Sequence, residues 1–239
     1  MADITVEVIR KRIRSIRLSV RPPDGRVRMS APVRTGLETL RRFAIEKLGW
    51  IRKHQARLRQ QAQEPPWKYL DGESHFVWGR RYLLAVEETD APPSVNSTLD
   101  SLALRVRPGA STRKRGAVME GWYRERLKEA ASPLIAKWEP VMGVKVKKLL
   151  TRRMKTRWGT CNTRSGSIRL NTELVTRPLE CLEYVIVHEM THLLEPSHNR
   201  RFKDLMSRFM PDWAVHRQAL RRLPMRHEDW EYPRRIDRE

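Results

Sequence analysis

One hexapeptide, Val187-His188-Glu189-Met190-Thr191-His192, limits this chain more than any other stretch. It reads His-Glu-x-x-His and lies inside the apolar segment from Pro178 to Leu194. On a helix, positions four apart share a face. His188 and His192 can therefore present two imidazole nitrogens to one metal ion, with Glu189 beside it. A lone histidine on an apolar face is more often a satisfied core group, but a pair at helical spacing with an intervening glutamate points to metal. The surroundings agree with a helix. Thr176 and Pro178 mark its start, and Glu180 and Glu183 occupy the early turns, where the macrodipole favours acids. Leu179, Leu182, Ile186 and Leu193 form an apolar stripe, so the segment is expected to be a core helix with the histidines beside the stripe.

A catalytic zinc usually has three protein ligands and one open position. His198 lies six residues beyond His192, past Glu195-Pro196-Ser197, which ends the helix. Ser197 can cap a following helix with the stripe Phe202, Leu205, Met206 and Phe209. A helix, a tight turn and a third histidine can fold back on the first two, which makes His198 the expected third ligand. Glu195 is the competitor, because a carboxylate can also ligate. A purely structural zinc would use four protein ligands, usually including cysteine. Cys161 and Cys181 fit no Cys-x-x-Cys motif, and Cys181 lies nearly two turns before His188, a poor place for a fourth ligand. Both cysteines read as ordinary reduced thiols.

Elsewhere the sequence sets broader limits. Its 239 residues suit one large domain or two small ones. No run of about 18 apolar residues exists, so no membrane span is expected. The start Met1-Ala2-Asp3-Ile4 lacks a secretory signal pattern, and a cytoplasmic protein is expected. The net charge is +21, with 49 basic and 28 acidic residues. Most of the surplus lies in two blocks: net +11 over residues 1–60 and net +12 over 105–157. Residues 61–104 are net −4 and 158–198 net −2. Such blocks attract polyanions, so nucleic acid is a possible partner, although a solvated basic surface explains them as simply. Aromatic residues make up only 7%, which argues against a platform for stacking single strands.

Along the chain, residues 4–9 and 13–20 alternate as strands, and Pro22-Pro23-Asp24-Gly25 turns into a return strand at Arg26–Ser30. Thr35 to about Gln63 reads as one helix, capped by Thr35 and ended by Pro65-Pro66. Strands follow at 76–78, 81–86 and 102–106, with 89–98 as a loop. Residues 112–140 form a second long helix. Short strands are expected at 144–150 and 167–171, then helices at 178–194, 199–210 and 212–223. The expected division is an N-terminal α+β portion at 1–110, a core at 111–225 and a polar tail at 226–239.

Beyond the zinc motif, the chain resembles the YgjP-like metallopeptidase family, relatives of the SprT-like and WLM zinc proteases. The matching residues include Arg153 to Arg157, Trp158-Gly159-Thr160-Cys161, Gly166-Ser167-Ile168, Leu170-Asn171, Leu174, Pro178, Tyr184-Val185, His188 to Leu193, His198, Phe202 and Met210-Pro211. The match is tight over about 153–213 and looser elsewhere, and the Trp-Gly-Thr-Cys block makes it specific. The resemblance implies an α+β, zincin-like core, an antiparallel sheet packed on the zinc helix, with ligands His188, His192 and His198 and the base Glu189. Metzincins share the histidine spacing but carry Gly where this chain has Glu195, and no Met-turn is apparent. Thr160 stands where the family often has Ser.

The expected chemistry is hydrolysis of a peptide bond by metal-activated water, with Glu189 as general base. The strand Ile168–Asn171 could pair with an extended peptide, or could be plain sheet structure. His216, Tyr184 and Arg157 are weak candidates for an oxyanion partner. Two other functions are open: a metal-dependent pyrophosphatase of nucleoside triphosphates such as UTP, which the resemblance to some YgjP-like members implies, and a noncatalytic nucleic-acid-binding protein with a structural zinc. No Walker-type phosphate loop is present. A polypeptide is the expected substrate class.

Overall fold

The structure is a computed structural model, which describes residues 4–21, 24–60, 67–154 and 157–222. Pro22-Pro23, the helix end near Gln63 with Pro65-Pro66, and the polar tail lie outside the described residues. The fold is mixed α and β, with three small sheets and six α-helices among the described residues. Its contacts divide it into two compact units, of which the second spans Trp67–Met225.

The first unit holds β1 (Val6–Lys11), β2 (Arg17–Arg21), β3 (Arg26–Pro32), α1 (Leu37–Glu46) and α2 (Leu48–Gln60). β2 and β3 form the expected antiparallel hairpin, and β1 runs parallel to β3 on its other side. Alternation decides the faces: Val27, Met29 and Ala31 point inward to Leu40 of α1, while Arg26 and Arg28 point out. The single expected helix is broken. Lys47 closes α1, with its N–H donating to the carbonyls of Phe43 and Ala44, and α2 starts immediately after it. Gly49 is the local weakness, since glycine costs about 1 kcal/mol relative to alanine in a helix. Gly36 occupies the cap position of α1 in place of Thr35, without a side-chain bond.

The second unit begins with β4 (Ser74–Val77), β5 (Arg80–Glu88), β6 (Ser94–Ser97) and β7 (Ser101–Val106), in the order β4-β5-β7-β6. β6 lies inside the segment expected to be a loop. A two-residue turn joins β4 to β5, with both Trp78 and Gly79 in the left-handed region. Trp78 is held there by its N–H, which donates to Val175 O at 2.6 Å. α3 (Thr112–Met142) is capped by Ser111 and closed by left-handed Gly143. Its buried face runs Met119, Tyr123, Leu127, Ala131, Ile135, Trp138, Met142, close to helical spacing.

β8 (Lys148–Arg152), β9 (Gly159–Asn162) and β10 (Ser167–Asn171) form a sheet in the order β8-β10-β9. This corrects the expected all-antiparallel sheet. β9 is antiparallel to β10 but β8 is parallel to it, because the chain passes from β8 to the opposite edge of β10 before turning back. β10 is thus the central strand, with both edges paired. It cannot accept a peptide, whereas β9 has a free edge among the described residues. Asn171 pins the crossing segment: its side chain accepts from Met154 N and Glu173 N and donates to Met154 O and Arg157 O.

α4 (Leu179–Thr191), α5 (Arg200–Phe209) and α6 (Trp213–Arg222) complete the unit. α4 is buried nearly all round, not along one stripe. Leu182, Val185, Ile186, Val187 and Met190 are all inside, while Leu179 is exposed. A helix apolar on every side needs neighbours on every side, and α3, α5, α6, β9 and β10 supply them. The β4–β7 sheet and α3 also pack together. Leu84, Leu102 and Leu104 of the β4–β7 sheet share one core with Met119 and Leu127 of α3, so the division falls near residue 66. No described helix is long and apolar enough to cross a membrane.

Candidate metal centre

His188 lies in the last turn of α4, and His192 is the residue that closes it. The backbone then tightens: Leu193 N–H donates to Met190 O, and Glu195 N–H to Thr191 O. Asn199, not Ser197, caps α5, accepting from Phe202 N at 3.0 Å. Ser197 is committed elsewhere, since its N–H and hydroxyl both donate to the Glu195 carboxylate. This turn returns the chain so that His188, His192 and His198 each offer a ring nitrogen within 4.8 Å of the others. Phe202, the first inward residue of α5, supports all three rings, with centroids 4.9, 4.7 and 4.7 Å away.

The donor chemistry suits a divalent cation. Nε2 of His198 and Nε2 of His188 are 3.0 Å apart. A tetrahedral zinc with bonds of about 2.0–2.1 Å separates its ligand nitrogens by about 3.3 Å. His192 Nδ1 is 3.1 Å from the carbonyl of Glu195, and as its donor it leaves Nε2 free as a lone-pair ligand. Burial favours the neutral form, the one that binds metal, at His188 and His192. It pulls His188 down to about 3, aided by His192 and His198, and lowers His192 as well. Glu195, the competing ligand, turns its carboxylate to Ser197, and that hydrogen bonding holds it below the usual carboxylate range.

Glu189 is 5% exposed. Desolvation pushes its carboxyl up to about 8, against a downward pull from Arg157. Gly159 of β9 lies directly on it: a β-carbon there would stand 2.6 Å from Glu189 Oε1 and 2.9 Å from Cδ. The sequence reading gave Gly159 no role, though an isolated glycine in a strand signals close approach of another group. Cys161, two residues on, also faces the site; burial and then Glu189 push its thiol up to about 11.

These groups line a cleft of about 610 Å³ with Trp158, Thr160, Tyr184 and Leu220. Of the weak oxyanion candidates, Tyr184 and Arg157 line the cleft. His216 is not among its lining residues and pairs with Asp212 at 3.0 Å. Cys181 is buried in the core and does not join the histidines.

Three imidazoles thus converge beside a buried carboxylate in a cleft lined by β9. The sequence model of the YgjP-like metallopeptidase domain matches residues 14–223, and the chain belongs to that family. Family membership implies a divalent metal, typically zinc. A search of curated proteins found no match. Among solved structures, the chain is similar to the metallopeptidase zymogen of Pyrococcus abyssi abylysin, with 18% identity and a TM-score of 0.35 over 39% of this chain and 90% of that one. It is also similar to the zymogen of Methanocaldococcus jannaschii jannalysin, with 17% identity and a TM-score of 0.33 over 40% and 94%.

Proposed function

We propose that this protein is a zinc-dependent metallopeptidase in which His188, His192 and His198 hold the ion and Glu189 is the general base. The observation that carries this reading is the packing of Glu189, nearly sealed from solvent, beside three converging imidazoles. A bound zinc would act as a Lewis acid and lower the pKa of water in its open position toward about 7. Glu189 takes a proton from the attacking water on a carboxylate oxygen and delivers it to the leaving amine nitrogen. An extended substrate would add to the free edge of β9, where Gly159, Thr160 and Cys161 line the cleft, so backbone pairing fixes the scissile bond.

Glu189→Gln is expected to keep one zinc per chain and lose chelator-sensitive proteolysis of a casein-like substrate by at least about a thousandfold. His188→Ala is expected to lose the metal as well. Turnover of UTP with no cleavage of polypeptide would point to a pyrophosphatase instead. No turnover of either, with zinc still bound, would leave the ion a structural role.

A further inference from the structure

The β1-β3-β2 sheet has one face packed on α1 and, among the described residues, one face open. On the open side, Lys11, Arg17, Arg21 and Arg26 are exposed and Arg28 is half-buried. Arg21 and Arg26 stand directly opposite each other in the register, and Arg17 and Arg28 are diagonal neighbours across the same pair of strands. Like charges facing across a ladder destabilise a sheet. The acids nearby are already engaged. Glu7 accepts two bonds from Arg28 at 2.7 and 3.0 Å, and Asp24 pairs with Arg26. Lys11, Arg17 and Arg21 have no ion-pair partner among the described residues.

We propose that this open sheet face docks on the sugar–phosphate backbone of duplex nucleic acid, without regard to sequence. The face has no aromatic side chain, so it has no means of stacking unpaired bases. It also has no exposed large apolar side chain to insert into a lipid interface, which disfavours an anionic membrane. The surrounding unit, net +11 over residues 1–60, adds a field that steers a polyanion toward it. This surface is independent of the reading of the metal centre, which belongs to the other unit.

The test uses the full chain, a short fluorescent duplex of mixed sequence as DNA and as RNA, and anisotropy titrations at several salt concentrations. The expected result is binding that weakens steeply with salt. Arg17→Gln with Arg21→Gln should weaken it about tenfold at low salt and reduce the slope of log affinity against log salt by about two. Arg41→Gln with Arg42→Gln, an equal loss of charge on α1, should change affinity less than about threefold. Glu7→Gln releases Arg28 and should tighten binding and raise the slope by about one. Zinc content should be the same in all variants. Three results would overturn the proposal: no duplex binding, equal losses in the two arginine pairs, or capture by phosphatidylserine vesicles but not by duplex.

Discussion

A methyl group at position 159 would place a carbon 2.6 Å from Oε1 of Glu189, closer than packed atoms tolerate. The carboxylate is nearly enclosed, so it cannot swing far, and the strain falls on the group that must move the proton. Gly159→Ala is therefore expected to lower kcat about a hundredfold while zinc content stays at the wild-type level; metal analysis beside a peptidase assay checks the pair. The ionisation of Glu189 gives a second expectation at this scale. In metal-free protein the folded state keeps its proton up to about 8, whereas an ordinary carboxyl releases it near 4.5. Between those values the folded state binds more protons than the unfolded one, so stability present below 4.5 is lost as pH rises toward 8. The lowered histidines act oppositely and only below 6.5, where the unfolded chain is the one that takes up protons. From pH 6.5 to 8 the metal-free protein should thus lose up to about 1.4 kcal/mol per pH unit, and Glu189→Gln should remove that slope. Urea midpoints in a chelating buffer measure it.

Among the elements, the α4–turn–α5 segment was the most legible from sequence. Its apolar content, the break at Glu195-Pro196 and the inward pair Phe202 and Met206 all follow a helical period, and the structure brings the three histidines together where that reading put them. β9 was not legible. Gly159 to Asn162 is short, and what makes it a strand is its pairing with β10, a contact the local sequence does not encode. β6 was hidden for the same reason, among Pro, Ser and Asn residues. The division of the first long helix depends on one backbone closure at Lys47, where no proline announces it. The cap of α5 was misassigned because both Ser197 and Asn199 are good cap residues, and only the Glu195 carboxylate decides between them. Asn171 yields an element-scale prediction. It satisfies four backbone groups at the crossing from β8 to β9, and Asn171→Ala leaves buried polar atoms unpaired. A loss of about 2–4 kcal/mol in chemical denaturation is expected, with activity falling as β9 loosens.

For the whole molecule, the basic sheet face and the candidate metal ligands belong to different compact units. All three candidate ligands lie within Trp67–Met225, so zinc should stabilise that unit. Zinc at about a hundred times its Kd adds about 2.7 kcal/mol to whatever it binds. Calorimetry with and without chelator is expected to move the transition of the second unit upward with zinc and leave any transition of the first where it was. The candidate ligands come from one short local segment, 188–198, whereas the far wall of the cleft comes from a strand around 159–162 that must find its place against α4. Because α4 is apolar on every side, its two histidines are fixed in place only when the neighbouring helices and strands have packed around it, so tight capture of the ion waits on the folding of the whole second unit.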